Sequence, residues 1–393
     1  MLWYIPLEPY KERYSAQWSA PVTGWLERNW LRAGVDYFRV DPASGQAPRT
    51  IKSGCVLDAV GRSAFCFSQI VELLRLAEVG ELTSDDVIYF DDFWTPGFEA
   101  LPYALTLLGV KPKMYAFLHA QSVDEFDFTY PMRHWMRHFE RGMSEVLDGI
   151  FVCGPCLRDL VVLGGIAPKE KVHITGHPFC SEEVMERMPT WYRDGEQYTR
   201  QDQVIFSSRW DREKNPSFFL DVARCVLARR SNTRFVVCSS ALKLRSNDQA
   251  LLELLEQHCH DYPGQIVLRE GLSKEEYYAE LCRSKVQMNT ASQDFVAITL
   301  LEASVAGCYP VYPWFRSFPE TFLYKPEYMY QMLHAPSAAD MVCRILDRDD
   351  LWTTEQITDR AWIYNRFDSS WIRMLNVMGL MNQSTTDPYS SIC

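Results

Sequence analysis

A chain of 393 residues, 47% hydrophobic and 23% charged, has the make-up of a folded protein of about two domains and excludes disordered and fibrous classes. Its formal net charge of −11 excludes a general affinity for polyanions, so any contact with nucleic acid needs a local basic face. No apolar run reaches the ~18 residues of a membrane span, the first residues lack the order of a secretory signal, and the 12 cysteines are scattered; the expectation is a cytoplasmic protein with reduced thiols and no membrane partner.

In chain order, short strand-like runs alternate with helical ones. LWYIPLE, DYFRVDP, SGCVLDA, DDVIYFDDF, KMYAFLHA, LDGIFVCG and KVHITGHP read as strands. Between them TGWLERNWLRAG, AFCFSQIVELLRLAEVG, GFEALPYALTLLG, YPMRHWMRHFERGMSEVL and CLRDLVVLGG have helical periodicity. The polar stretch Ser181–Asp202 reads as a boundary. Strands then resume with QVIFSSRW, RFVVCSS, QIVLREG, KVQMNTA and CYPVYPW. The intervening helices are NPSFFLDVARCVLARR, NDQALLELLEQHCHD, SKEEYYAELCRS and FVAITLLEASVAG. A last helical stretch, DRAWIYNRFDSSWIRMLNVMGLM, precedes a tail expected to fray. Such alternation predicts an α/β protein of two doubly wound, Rossmann-like domains facing across a cleft, with ligands at the carboxyl ends of the strands. The expected bounds are residues 1–185, completed by a C-terminal helix over 366–385, and residues 200–365.

Three elements in the second half carry chemistry. In VIFSSRWDREKNP a strand ends in two serines, Arg209 follows, and Lys214 stands just before Asn215 and Pro216 open a helix. Two cations at a strand end beside a helix N-terminus suit a diphosphate, and they equally suit a solvated loop. In TASQDFVAITLLEASVAG, a helix predicted to begin between Phe295 and Thr299 aims backbone N–H groups at an anion. Asp294 sits at its start and Glu302 about two turns on; an N-cap role for Asp294 is the plainer alternative. QIVLREGLSKEEYYAELCRS supplies a strand, Gly271 and a helix in between.

Over 203–314, the order and spacing of these elements resemble the donor domain of retaining glycosyltransferases with the GT-B fold: an acid, seven residues, Glu, then a small-residue helix and Gly, preceded by a strand with Arg and Lys. The resemblance implies a nucleotide-sugar donor, a UDP-sugar first, and no obligatory metal. It implies that Arg209 and Lys214 neutralise the donor diphosphate, that Glu302 accepts from the ribose, and that Asp294 holds hydroxyls of the transferred sugar. It also puts the N–H groups of Ala297, Ile298 and Thr299 toward phosphate or sugar, and Leu272 near the base. Two positions depart from the pattern, Asp294 where Glu is usual and Ala297 where Gly is frequent, and both bear on which sugar fits.

The first half is then expected to take the acceptor. His119, ending the strand KMYAFLHA, resembles the reaction-centre His of the family; Asp124 and Asp127 follow it as acceptor-side candidates or plain surface acids. Asp91 and Asp92 suit Mg²⁺ or, better, a turn cap. Glu8, Lys11, Arg13 and Tyr14 occupy a first loop that is Gly-rich in many relatives. Cys153 and Cys156, in CGPC, raise a thiol–disulfide alternative. The chain also looks similar to glycosyltransferases of tailed bacteriophages, among them DNA α-glucosyltransferases. That implies hydroxymethylated bases of phage DNA as acceptor and the host cytoplasm as location. Arg133, His134, Trp135, Arg137, His138 and Arg141 interleave cations with aromatics as a nucleic-acid face would, or form one basic side of an ordinary helix. A glycan, lipid-linked or small-molecule acceptor, and an inactive sugar-binding module, are the alternatives; the oligomeric state is left open.

Overall fold

Each half of the chain builds its own parallel six-stranded sheet. The computed structural model describes residues 1–8, 22–42, 58–119, 122–127, 129–195, 199–322, 324–348 and 362–381. One compact unit comprises Met1–Cys180 and the stretch from Asn365 on; the other is Ser181–Tyr364.

In the first unit the strands are β1 (Leu2–Ile5), β2 (Tyr37–Arg39), β3 (Val87–Phe90), β4 (Lys113–Phe117), β5 (Gly149–Val152) and β6 (Val172–Ile174). They lie in the order β2-β1-β3-β4-β5-β6, every pair parallel. The chain runs from β1 outward to β2, then crosses to the far side of β1 for β3. The strand order therefore reverses at β1 and β3, where a doubly wound sheet opens a crevice. β1, β3 and β5 are buried along their whole length, as near-continuous apolar runs in parallel sheets must be.

The second unit repeats the plan with β7 (Gln201–Phe206), β8 (Arg234–Cys238), β9 (Ile266–Arg269), β10 (Ser284–Met288), β11 (Tyr309–Pro313) and β12 (Met329–Tyr330). Their order is β12-β11-β10-β7-β8-β9, again parallel, so the reversal falls between β7 and β10. The helix Pro216–Leu227 packs against both Ala335–Leu346 and Gln249–Asp261. The polar stretch read as a boundary contains two short helices, Ser181–Glu186 and Thr190–Arg193. The first packs on the helix Ile298–Val305.

The C-terminal helix Ser370–Met378 packs back on the first unit. Arg373 holds it there, donating to the carbonyls of Thr175 (2.8 Å), Asn365 (2.9 Å) and Arg366 (2.5 Å). Arg366 donates to the Cys153 carbonyl (3.0 Å), and Trp371 meets Trp25 edge-on. Gly176 makes this approach possible: its φ is +80°, and a Cβ there would stand 2.2 Å from the Arg366 carbonyl oxygen.

One local expectation changes. The strand SGCVLDA falls mostly outside the described residues, and its end is not strand: Asp58 caps the helix Ala59–Glu78, accepting from the Gly61 N–H (3.1 Å). The helix of the acidic motif begins at Ile298, within the span from Phe295 to Thr299 where it is expected. Ala297 has a non-helical ψ of 87°, which carries the chain through an extended turn first. Among the described residues no helix is long and apolar enough to cross a membrane.

Candidate functional site

The crevice between β7 and β10 gathers the residues of the second-half motifs, because parallel strands bring all their carboxyl ends to one edge. The loop after β7 is held by Trp210, which is fully buried, donates from its indole to the Leu251 carbonyl (2.9 Å) and meets Phe206 edge-on at 5.1 Å. Asp211 accepts from the Asn247 N–H (2.8 Å). Asn215 takes a left-handed φ of 49°, and Pro216 opens the next helix, its missing N–H costing nothing at a first turn. The β10 loop is laced to this one. Thr290 donates its hydroxyl to the Lys214 carbonyl (2.7 Å), and the Ser292 N–H donates to the Glu213 carbonyl (2.9 Å).

That lacing brings Lys214 to Asp294. The ammonium donates to Asp294 Oδ1 at 2.7 Å and to the Gln293 carbonyl at 3.2 Å, and both side chains are mostly shielded. Asn289 donates to the other carboxylate oxygen (3.2 Å), and the Ser317 hydroxyl fixes the Asp294 carbonyl (2.6 Å). Asp294 is therefore not the N-cap: Ala297 occupies that position, without a side-chain bond. Arg209 is half-exposed and pairs with Asp211 (2.8 Å) and Glu213. Of the three N–H groups expected to face the donor, that of Ile298 is directed to the Val296 carbonyl (3.1 Å). Ala297 is buried and Thr299 half-buried.

Glu302 is only 2% exposed. It accepts from Lys274 Nζ (2.7 Å) and the Tyr278 hydroxyl (3.0 Å). Burial, then the Glu302 charge, push the Tyr278 hydroxyl pKa up, so it stays a donor. Lys274 lies 5.2 Å from the ring centres of Tyr277 and Tyr278. It begins a helix with a full capping box, Ser273 with Glu276. Two residues before it, Leu272 is buried behind Gly271, whose φ of +67° makes the turn out of β9. Lys274 and Tyr278 escaped sequence reasoning, although SKEEYY places them one turn apart on one helix face. Without a ligand, the cations Arg209, Lys214 and Lys274 all rest on carboxylates of the same chain. A diphosphate entering here has to take at least some of those cations over.

In the first unit the reversal at β1 and β3 holds a buried ionic cluster. Arg62 pairs with Glu8 and Asp92 and donates to the Trp94 carbonyl (2.6 Å). Burial works against the Arg62 charge, but Asp92 and Glu8 outweigh it and raise its pKa. Burial pushes Glu8 up. Asp91 accepts from the Tyr4 hydroxyl (2.6 Å) and the Leu7 N–H (3.2 Å); Asp92 also caps the Trp94 N–H (3.1 Å). Both carboxylates thus serve the turn after β3. Lys11, Arg13 and Tyr14 lie outside the described residues.

His119 joins this cluster, donating from Nε2 to the Asp91 carbonyl (2.6 Å). Burial lowers its pKa, so it is neutral at pH 7. His177, 5.7 Å from it ring to ring, is pushed down to about 3 by burial and by His119. Asp124 is fully buried and accepts from the Phe126 N–H (3.2 Å), and Asp127 accepts from the Thr129 N–H (2.8 Å) and hydroxyl (2.7 Å). Both acids shape a turn, and neither is the plain surface acid of the alternative reading. Burial moves Asp127 up to about 6. Glu140, fully buried, accepts from Ser122 N–H (2.8 Å), Ser122 Oγ (2.5 Å) and Trp94 Nε1 (3.1 Å). Arg62 and Glu140 were not foreseen; each is a charged residue on the buried face of an amphipathic helix, which is the signal that marks them.

Arg133 is exposed and stacks over the Tyr130 ring at 4.1 Å, and Arg137 is half-buried one turn on. Cys153 is buried and Cys156 half-buried. They follow β5, Cys156 in the helix Pro155–Leu163, and β5 sits inside the six-stranded sheet, so CGPC is one more strand-to-helix turn of that sheet. No group of three or more His, Cys, Asp or Glu able to hold a metal occurs among the described residues.

No family model matches the chain. It is 24% identical over 254 residues to tRNA-queuosine alpha-mannosyltransferase of Drosophila melanogaster, an alignment covering 58% of this chain and 65% of that protein. The chain thus spans less than two thirds of the length of that relative. Among solved structures, sucrose-phosphate synthase from Thermosynechococcus elongatus superposes with a TM-score of 0.66 at 13% identity, covering 96% of this chain and 97% of that one. Anabaena HepE, solved in complex with UDP and glucose, gives a TM-score of 0.59 at 10% identity over 96% and 99%. The fold is GT-B. The similarity extends over nearly the whole of this chain.

Proposed function

We propose that the protein is a retaining glycosyltransferase that moves a sugar from a nucleotide-sugar, a UDP-sugar first, to a hydroxyl on a modified base of a nucleic acid. One observation carries the glycosyltransferase part: in a GT-B unit, Lys214 from the loop after β7 pairs with Asp294 from the loop after β10, and Glu302, eight residues beyond Asp294, is held by Lys274. In this reading the donor diphosphate takes Lys214 and Arg209 from their carboxylates. Glu302, positioned by Lys274 and Tyr278, accepts from the ribose hydroxyls. Asp294, released from Lys214, accepts from hydroxyls of the sugar.

The bond from the anomeric carbon to the diphosphate oxygen breaks, and the bond to the acceptor oxygen forms on the same face. The acceptor proton passes to the departing phosphate oxygen. Fixed cations stabilise the charge that grows on the leaving group, which is where preorganised electrostatics lower a barrier most. His119, neutral and donating to the Asp91 carbonyl, belongs to the acceptor side and positions rather than protonates.

The nucleic-acid acceptor is supported by the tRNA acceptor named in the mannosyltransferase relative and by the basic, aromatic helix around Trp135. The test is incubation with a panel of nucleotide-sugars and two acceptors, hydroxymethylated DNA and bulk tRNA, followed by digestion and nucleoside mass spectrometry. A hexose or pentose mass gain on a nucleoside is expected. Donor turnover with no gain on either acceptor overturns the nucleic-acid part; no donor turnover at all overturns the enzyme.

A further inference from the structure

Three strands away from β3, the edge of the first sheet borders a cavity of about 430 Å³, a size typical of small-molecule sites. The edge strand β6 has no sheet neighbour on this side, and residues from both of its faces, Val172 through Thr175, line the space. The helix Pro155–Leu163 adds Arg158, and the turn before β6 adds Lys169. The C-terminal helix adds Arg373, Asn376 and Val377, which share one face by their i, i+3 and i+4 spacing. Three cations and a histidine therefore meet in one cavity. Among the described residues that line it none is acidic. Arg373 is fixed in place by three carbonyls. Arg158 pairs with Asp159 (2.7 Å), an exposed residue that does not line the cavity. The side chains of Lys169, His173 and Asn376 have no hydrogen-bond or ion-pair partner among the described residues.

This differs from the β7–β10 crevice, where Arg209, Lys214 and Lys274 each rest on a carboxylate of the same site. Burial lowers the His173 pKa, so the ring is neutral at pH 7 and donates one N–H. That ring continues an aromatic row across the sheet, Tyr115 to Phe151 at 5.7 Å and Phe151 to His173 at 6.3 Å. Val172, Ile174 and Val377 make the remaining wall apolar. Cations and neutral donors from separate elements, set against an apolar wall, match a ligand with a doubly charged head and a compact apolar body. A phosphomonoester carries nearly two charges at pH 7 and three strong acceptor oxygens. A carboxylate or a backbone phosphodiester offers two free oxygens and one charge, and leaves some of these donors unanswered.

We propose that this cavity binds a small soluble phosphomonoester, its phosphate held by Arg158, Lys169 and Arg373 with His173 and Asn376 donating, and its body against Val377 and the β6 edge. The site stands apart from the donor crevice and needs no part of the glycosyltransferase reading. Phenyl phosphate, a monoester on a flat apolar body, is the probe. The test is isothermal titration of the full chain saturated with UDP, so that a phosphate site in the second unit is already filled. Phenyl phosphate should bind about tenfold more tightly than inorganic phosphate, because its ring leaves water for the apolar wall. Arg158→Gln with Lys169→Gln, neither side chain packed in the core, should weaken it about tenfold or more through lost charge-assisted hydrogen bonds, with the thermal midpoint and UDP affinity unchanged. Asn376→Asp, which keeps the side-chain shape and places a carboxylate in the cavity, should weaken it likewise. The proposal is overturned if wild type binds no phenyl phosphate in the millimolar range, or if both variants bind it like wild type. It is also overturned if vesicles containing phosphatidic acid, the same monoester on a lipid, are bound while phenyl phosphate is not.

Discussion

Replacing Asp294 with Asn should pull two measurements in opposite directions. In the ligand-free protein Lys214 spends its charge on Asp294 at 2.7 Å. Two unit charges at that distance attract by about 6 kcal/mol at an effective dielectric of about 20, and desolvation leaves a net of about 1.5–3 kcal/mol for a charge-assisted hydrogen bond. A diphosphate competes with that pair and is repelled by the remaining carboxylate. Asp294→Asn removes both obstacles while keeping the side-chain shape. UDP affinity should rise about three- to tenfold, or about 0.7–1.4 kcal/mol, because part of the released energy goes to water. Sugar transfer should fall by about one to two orders of magnitude, since the contact with a charged acceptor is lost. Isothermal titration with UDP and steady-state donor turnover read the two effects. If UDP binds the variant no better than wild type, and turnover is intact, the pair is an ordinary ion pair unconnected with the diphosphate.

The other expectations concern separate groups. Glu302→Gln keeps an oxygen for Lys274 and Tyr278, so the urea midpoint should hold while donor turnover falls at least tenfold; equal turnover would remove Glu302 from the ribose. Arg62→Met strands Glu8 and Asp92, both shielded, and should cost about 3–5 kcal/mol of stability, part of it regained with Glu8→Gln and Asp92→Asn; an unchanged melting point would mean that the cluster is solvated. Asp127 holds its proton in the folded state up to about pH 6, whereas the unfolded chain releases it near the ordinary value of about 4. Stability from this group is therefore present below that value and lost as pH rises to about 6, a loss of up to about 3 kcal/mol. Asp127→Asn should be the more stable protein at pH 7.5 and no more stable at pH 4, by thermal melts at both; the same difference at both pH values would contradict the burial of that carboxylate.

The parallel sheets were legible because buried parallel strands are apolar along their length, as VIYF and GIFV are. The acid pair at Asp294 and Glu302 was legible because its spacing is fixed by one loop and one helix. What could not be read is how the chain balances its charges. Lys274 lies 28 residues before Glu302 in the chain and 2.7 Å from it in space. Arg62 reaches Glu8 and Asp92 only because β1 and β3 are neighbours in the sheet. The helix start, expected between Phe295 and Thr299, is set at Ile298 by the extended Ala297, a detail FVAITLL does not advertise since every residue there is compatible with helix. Asp294 thus stands ahead of the helix, where it pairs with Lys214.

Hydrogen–deuterium exchange with and without saturating UDP tests the donor site most directly. Protection should appear in 207–215, 272–278 and 289–302, the loops around the β7–β10 crevice, and fade in a Lys214→Ala variant. Protection confined to the first unit, or tight UDP binding that leaves these three segments unchanged, would contradict the donor site described here.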